Sequence, residues 1–300
     1  MISRTLLGHM AALMTILVWG TTFVSTKILL QDFAPLEILF FRFLVGYVSL
    51  FLFRPRLLGI RKAKEEVLFM GAGLCGVTLY FLLENIALTY TFAANVGIII
   101  CLAPFFTAIL ACLFLQGEHL QPRFFAGLLI ALFGVILIAF NGTTLQLNPL
   151  GDLLAALAAL VWAVYSILMR RIGELKLDTV LCTRRVFFYG LLFMLPALPF
   201  LGFTWKPDRL ADIPNLLNLL YLGFGASALC FVTWNWTVRV LGAVRTSVYI
   251  YLIPVVTVLS SAIILNERLT GLAIFGTALT LIGLLVSEGR ILSYGFRRKR

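Results

Sequence analysis

Two stretches of this chain are nearly the same: GHMAALMTILVW at residues 8–19 and GDLLAALAALVW at residues 151–162. Each begins with Gly and ends with Leu-Val-Trp, which places Trp19 and Trp162 at equivalent positions 143 residues apart. The correspondence indicates that the chain contains two copies of one unit.

Residues beyond this stretch keep the same register. At offsets of 143 to 150, the pairs are Lys27 with Arg170, Arg42 with Arg185, Asn85 with Asn235, Pro104 with Pro254, and Glu118 with Glu267. A repeat that extends over both halves of a chain indicates a duplicated architecture.

The composition indicates a membrane protein. Of the 300 residues, 61% are hydrophobic and 12% are charged, and the mean hydropathy is +1.03. Soluble domains carry about 25% charged residues. We therefore expect an all-α protein whose helices cross the bilayer.

The spacing of polar residues predicts ten transmembrane helices, since a span needs about 20 mostly apolar residues. The predicted spans are 6–29, 35–53, 67–88, 92–115, 123–140, 150–169, 178–201, 214–237, 242–265 and 271–288. Five fall in a first repeat, residues 1–144, and five in a second repeat, residues 145–300, which ends in a basic cytoplasmic tail.

The distribution of Lys and Arg predicts that both termini are cytoplasmic, in the cell or inner membrane. The loops on the side of the two termini carry 17 of these residues, whereas the other loops carry Lys27, Lys206, Arg209 and Arg268. Cytoplasmic loops are the ones enriched in Lys and Arg. The net charge of +11 is explained by this asymmetry and by anionic lipid, so no nucleic-acid partner is expected.

An odd number of spans in each copy makes the second copy cross the membrane in the opposite direction. Inverted repeats of this kind are typical of secondary transporters, which hold the substrate near the bilayer midplane between the repeats. A small-molecule substrate and the bilayer are the expected partners, and a monomer would suffice.

The repeated motifs resemble the EamA family of the drug/metabolite transporter superfamily. The resemblance rests on ALTYTFAANVG at 87–97, LGAVRTS at 241–247, NERL at 266–269 and WAVY at 162–165, together with Ala103-Pro104, Gly117-Glu118 and Ile253-Pro254. It implies an exporter of small metabolites. Amino acids are the favoured substrate class, with aromatic or apolar amino acids as candidates within it. The alternative is a nucleotide-sugar or sugar-phosphate exchanger, or a drug or cation exporter, of the same superfamily.

Aromatic and hydroxyl side chains are the first group of candidate substrate contacts. By resemblance to the family, the helices that carry them line the central cavity. This group comprises Trp19, Thr22, Phe23, Tyr80, Trp162, Tyr165 and Trp234. The tryptophans Trp19 and Trp162 lie at mid-span, where an interfacial aromatic belt does not explain them. A mixed lining of this kind fits a zwitterionic amino acid better than a nucleotide sugar.

Charged residues within the spans are the second group. Burying a charge at the bilayer centre costs about 3 kcal/mol or more unless it meets a cavity or a partner. Arg42 and Glu84 either neutralise each other, or Arg42 and its counterpart Arg185 each meet an anionic group of the substrate in one access state. Glu84 is also a candidate for proton coupling, although Trp234 replaces it in the second copy.

Prolines, glycines and two further glutamates have structural interpretations. Pro104 and Pro254 are predicted to kink their helices and to serve as gates. Gly127 and Gly134, like Gly276 and Gly283, are seven residues apart and predict close helix packing. Glu118 and Glu267 are expected to cap helices.

The sequence argues against an enzyme, and no catalytic residue, metal ligand or cofactor is expected. Its two histidines precede GASA at 225–228, the nearest approach to a serine-protease motif. The five cysteines form no Cys-x-x-Cys pair. Since no phosphate-binding loop motif occurs, transport independent of ATP is expected.

Overall fold

The protein is all-helical over the residues that its computed structural model describes. Those residues are 3–59, 62–90, 93–115, 122–139, 148–200, 203–204, 206, 208–256, 259 and 270–287. Within these ranges there is no β-strand. Glu118, Glu267 and the basic tail lie outside them, as does the side chain of Phe23.

Twelve helices are described. In chain order they are α1 (Arg4–Leu29), α2 (Pro35–Phe53), α3 (Ala63–Tyr90), α4 (Ala93–Ile100), α5 (Ala103–Phe114), α6 (Pro122–Ala139), α7 (Pro149–Glu174), α8 (Thr179–Met194), α9 (Asp208–Ala211), α10 (Ile213–Leu241), α11 (Ala243–Val256) and α12 (Gly271–Ser287). Three of them, α3, α10 and α11, each join α-helical turns to π- or 3₁₀-helical turns.

Side-chain caps and prolines explain where several helices begin. Ser3 Oγ accepts a hydrogen bond from the Leu6 amide at 3.2 Å, and Asn148 Oδ1 accepts one from the Gly151 amide at 3.1 Å. Asp178 Oδ1 accepts hydrogen bonds from the Val180 and Leu181 amides, at 2.9 and 3.2 Å. These bonds satisfy amides that have no partner within the helix.

Six of these helices are long and apolar enough to cross a membrane: α1, α2, α3, α7, α8 and α10. Four shorter apolar helices accompany them, Ala103–Phe114, Pro122–Leu137, Ala243–Val256 and Ile274–Ser287. The protein is therefore a multi-pass membrane protein. The predicted span 92–115 is not one helix, since α4 ends at Ile100 and α5 begins at Ala103.

The third span of each copy contains a π-helical turn, at Leu74–Leu79 in α3 and Tyr221–Leu229 in α10. Wide turns of this kind displace the helix locally and are frequent at functional sites. In α3 the turn is packed very closely, because a Cβ on Gly76 would lie 2.2 Å from the Tyr165 ring. The two turns fall at corresponding places in the two predicted copies.

The last helices of the two copies, α6 and α12, pack against each other through their glycines. A Cβ on Gly127 would lie 2.6 Å from the Gly283 carbonyl oxygen, and one on Gly134 would lie 2.6 Å from the Gly276 carbonyl oxygen. The contact is reciprocal, since a Cβ on Gly283 would meet the Gly127 carbonyl oxygen at 2.6 Å. The prediction that these glycines allow close packing is confirmed.

Basic residues collect at one end of the helix bundle, which we call the basic face. It comprises Arg54, Arg170, Arg171, Lys176, Arg184, Arg185 and Arg239. Arg54 forms an ion pair with Asp178 at 3.1 Å, which joins the end of α2 to the start of α8. Arg171 donates to the Phe114 carbonyl at 2.9 Å. Both copies therefore contribute to this face.

The other end of the bundle is joined by a different network. Glu37, in the first turn of α2, pairs with Arg209 at 2.9 Å and accepts from the Thr204 amide at 2.7 Å. Arg209 also donates to the Asp32 carbonyl at 2.6 Å. The N-terminal end of α2 is thus fixed to the segment that precedes α10.

Candidate functional site

A cavity lies between helices of both copies. Its lining residues come from six of the helices and include aromatic, charged and aliphatic side chains. They are Trp19, Thr22, Thr26, Arg42, Tyr80, Phe81, Glu84, Asn85, Leu88, Ile100, Trp162, Ile250 and Ile253. Concave sites lined mostly by apolar and aromatic side chains, with a few polar groups, are typical binding sites for small molecules.

The cavity lies in the half of the bundle away from the basic face. Its α1 residues, Trp19 to Thr26, follow the middle of a helix that begins at Arg4, whereas Arg42 belongs to the first half of α2. In α3 the lining begins at Tyr80 and ends at Leu88, close to the end of the helix. Toward the basic face, Tyr165, Phe187 and Trp234 are fully buried.

Arg42 is a buried cation that faces this cavity. Its Nε donates to Ser227 Oγ at 3.1 Å, and Ser227 belongs to the π-helical turn of α10. The guanidinium carbon lies 4.6 Å from the ring centroid of Phe81 and 5.3 Å from that of Phe43. Cation–π contacts of this kind hold the guanidinium in position without neutralising its charge.

Glu84 lines the same cavity one turn beyond Tyr80. Among the described residues, no ion pair within 4.0 Å joins it to Arg42, and no hydrogen bond reaches its carboxylate. The two side chains therefore form no direct ion pair in this conformation, although their charges still attract each other across the cavity. Among the described lining residues, Arg42 is the cation and Glu84 the carboxylate.

Trp19 and Trp162 contact each other and form the floor of the cavity. Their ring centroids are 5.5 Å apart with the rings nearly perpendicular, at 81°. Tyr80 packs on Trp162 at 4.8 Å. Trp162 is only 3% exposed, so shortening it would leave a void among aromatic rings as well as remove cavity surface.

Tyr165 and Trp234 lie beneath this floor and do not line the cavity. Both are fully buried. The Tyr165 hydroxyl donates to Asn235 Oδ1 at 2.7 Å, and the Trp234 ring lies 5.0 Å from that of Trp19. In this conformation they contribute packing that closes the half of the bundle near the basic face.

Arg185 is placed far from Arg42, on the basic face. Its guanidinium pairs with Glu66 at 2.6 Å and donates to the Leu58 carbonyl at 3.0 Å. Tyr189 also donates a hydrogen bond to Glu66. Arg185 is therefore occupied by protein groups and has no access to the cavity.

The sequence profile of the EamA-like transporter family matches this chain twice, over residues 6–140 and 149–288. The chain belongs to the EamA-like transporter family. The two matches coincide with the two copies recognised in the sequence, and the family is one of transporters rather than enzymes.

Similar proteins span nearly the full length of this EamA-like transporter. One from Archaeoglobus fulgidus, named an uncharacterized transporter, is 29% identical over 94% of this chain and 97% of its own length. The probable amino-acid metabolite efflux pump of Escherichia coli is 28% identical over 92% and 93%. The probable terminal-alkyne amino-acid exporter of Streptantibioticus cattleyicolor is 29% identical over 96% and 95%.

A solved crystal structure has the same fold. It superimposes with a TM-score of 0.76 over 94% of this chain and 98% of its own, at 23% identity. At that identity the likeness concerns the fold alone.

The two prolines lie where helical geometry changes within this EamA-like fold. Pro104 is in the first turn of α5, directly after the break at Cys101-Leu102. Pro254 lies in α11, just beyond a 3₁₀ turn at Val248–Tyr251. Each break is next to the cavity, because Ile100 and Ile253 line it.

Several lining residues were not foreseen from the sequence. Thr26 lies one turn beyond Thr22, and Asn85 directly follows Glu84, so their neighbours and spacing carried a usable signal. Ile250 and Ile253 carried none, because an isoleucine facing a cavity and one facing lipid look the same in an apolar segment.

Proposed function

We propose that this protein is a secondary transporter that exports amino acids by alternating access. The observation that carries the proposal is the pair Arg42 and Glu84, which face one cavity without binding each other. Two opposite charges held apart over an apolar floor suit a zwitterion of modest size.

In this proposal the substrate carboxylate binds Arg42 and its ammonium group binds Glu84. A planar guanidinium presents several donors that match a carboxylate. The substrate side chain would lie against Trp19, Tyr80 and the isoleucines of α11. This surface favours apolar or aromatic side chains, because such a wall offers few hydrogen bonds to a polar one.

The proposed topology has ten spans in two inverted repeats, residues 1–144 and 145–300, with both termini in the cytoplasm. The double family match, the paired π-helical turns and the gathering of Arg and Lys on one face support it. With the basic face cytoplasmic, as membrane-protein loops favour, the cavity opens toward the outside of the inner or plasma membrane.

Alternating access would require the floor of the cavity to open toward the basic face. Pro104 and Pro254 are proposed as hinges, since each lies beside a break in helical geometry. Export agrees with the printed names of the relatives from E. coli and S. cattleyicolor.

The test is counterflow in proteoliposomes that contain the purified full chain and no ATP. Unlabelled amino acid on one side should drive accumulation of labelled amino acid from the other. Three competitors then probe the two charges: the amino acid, the matching amine without a carboxylate, and the matching acid without an amine. The proposal requires the amino acid to compete far better than either analogue.

Two variants assign the charges. The Arg42→Gln variant should no longer prefer the amino acid to the amine that lacks a carboxylate. The Glu84→Gln variant should no longer prefer the amino acid to the acid that lacks an amine. Arg4→Gln is a matched control, because Arg4 is exposed and remote from the cavity. Counterflow of no amino acid, or unchanged preferences in both variants, would refute the assignment.

A second candidate function is export of organic cations. Glu84 near Trp19, Tyr80 and Trp162 is a combination that also attracts a cation, through charge and aromatic faces. Arg42 would oppose such a substrate. If Arg42→Gln increases transport of the amine while the wild type transports it better than the amino acid, cation export is the correct assignment.

A further inference from the structure

A groove outside the transport cavity is built from the α7–α8 connection and the last turns of α10. It is lined by Lys176, Thr179, Val180, Val232, Trp236 and Arg239, with Leu177, Asp178 and Thr233 completing the wall. We propose that this groove binds the headgroup of an anionic glycerophospholipid. The proposal is independent of the transport function.

The cations of the groove are not neutralised by the protein. Arg239 Nη1 donates to the Leu177 carbonyl at 2.9 Å, and no carboxylate lies within 4.0 Å of Arg239 or Lys176 among the described residues. The nearby acids have partners, since Asp178 pairs with Arg54 and Glu174 lies 4.0 Å from Arg170. The groove therefore retains positive charge that a phosphodiester can balance.

The backbone at Lys176 supports a role for its side chain. Lys176 has a φ of 54° and is the one non-glycine residue in the described ranges with positive φ. Glycine or asparagine occupies this left-handed region at lower cost than lysine. The position presents an exposed ammonium group directly beyond the end of α7.

The order of cationic and apolar residues along the helix axis matches a phospholipid rather than a soluble phosphate. Lys176 lies in the connection between the end of α7 and the start of α8, two helices long and apolar enough to span a membrane, and Arg239 lies in the last turn of α10. Val232 lies nine residues before the end of α10 at Leu241, about 13 Å deeper along a helix. The groove thus continues from a cationic mouth into an apolar wall that an acyl chain can follow.

Trp236 lies between these two levels and provides a built-in reporter. Tryptophan is common at the headgroup level of membranes. Phospholipids with brominated acyl chains quench tryptophan fluorescence at short range, so the lipid beside Trp236 can be identified. The fluorescence lost in Trp236→Phe defines the Trp236 component.

The experiment uses the full chain in bilayers with either brominated phosphatidylglycerol or brominated phosphatidylcholine as the quenching lipid. The Trp236 component should be quenched by phosphatidylglycerol at about a 25-fold lower mole fraction, since each of the two cations favours anionic lipid by roughly fivefold. Lys176→Asn should reduce that preference about fivefold and remain folded, because asparagine tolerates positive φ.

Lys64→Asn is the matched control, since Lys64 is exposed near the start of α3 and is not part of the groove. Its preference should equal that of the wild type. Equal quenching by the two lipids, or no effect of Lys176→Asn, would overturn the proposal. So would an equal loss in Lys64→Asn, which would indicate general surface charge, or abolition by soluble glycerol phosphate, which would indicate a free phosphate ester.

Discussion

The two halves of the bundle contain equivalent residues in opposite environments. In the first copy, Glu84 and Asn85 face the cavity. Their counterparts in the second copy, Trp234 and Asn235, are buried beneath its floor. Among the described residues, Asn85 makes one hydrogen bond, to the Pro35 carbonyl at 3.3 Å, whereas Asn235 bonds to both Tyr165 and Thr183.

This difference shows what duplication does and does not conserve. Both copies keep the asparagine, but only the first has a carboxylate beside it, and the second has a large aromatic ring that fills space. Because Trp234 packs against Trp19 at 5.0 Å, the half near the basic face is closed by aromatic packing. The half that contains Glu84 is left with polar groups that a ligand can reach.

The largest effect is expected from the equivalent arginines. Arg42→Gln should reduce amino-acid counterflow about 100-fold or more, since losing one partner of a buried charged contact costs 2–5 kcal/mol or more. Arg185→Gln should leave the apparent substrate affinity unchanged, because Arg185 binds Glu66 and lies outside the cavity. Counterflow at graded substrate concentration measures both.

The folded fraction of each arginine variant, measured by size-exclusion chromatography in detergent, is the control for that comparison. Arg185→Gln should elute as the wild type or show a modest loss of thermal stability. A rise in KM for Arg185→Gln equal to that for Arg42→Gln would mean that both arginines contact substrate, and that the asymmetry of the two halves belongs to this conformation only.

The second effect concerns the symmetric tryptophans. Trp162→Ala should lower the free energy of unfolding by about 3–5 kcal/mol, because Trp162 is nearly inaccessible and packs on Tyr80 and Tyr165. Trp19→Ala should cost less stability, since Trp19 is only half-buried, while still reducing substrate affinity. Thermal unfolding measured beside counterflow distinguishes them, and equal stability losses would contradict the different placement of the two rings.

Much of this architecture follows from the sequence, because repeated motifs and apolar segments can be recognised directly in the order of the residues. The repeat at Trp19 and Trp162 identified two residues that meet at the centre of the fold. A charge in an apolar span needs a cavity or a partner, so the sequence alone marks Arg42 and Glu84 as candidate site residues.

The sequence could not distinguish which of the two equivalent arginines, Arg42 or Arg185, faces the cavity. Arg185 occupies the position equivalent to Arg42, and nothing in its neighbourhood along the chain reveals that Glu66 pairs with it from another helix. Tyr165 likewise depends on Gly76, which admits its ring. Such contacts join residues about 90 or more positions apart, so they are set by packing.

The third effect tests a region where the copies should behave alike. Gly127→Ala and Gly283→Ala should each cost up to about 3 kcal/mol, the usual upper range for overpacking, because each Cβ would lie 2.6 Å from the other's carbonyl oxygen. Gly225→Ala is the control, since its Cβ meets only the Tyr221 ring at 3.6 Å. Unequal losses for the two glycines, or an equal loss for Gly225→Ala, would contradict the symmetric contact.

The smallest effect concerns the equivalent asparagines. Asn235→Ala should lower the free energy of unfolding by about 1–2 kcal/mol, since it removes the partner of two buried hydroxyl groups, those of Tyr165 and Thr183. Asn85→Ala should cost less, because water in the cavity can replace its single bond to the Pro35 carbonyl. Thermal unfolding of the two purified variants compares them directly, and a larger loss for Asn85→Ala would mean that the half of the bundle around Glu84 is packed rather than open.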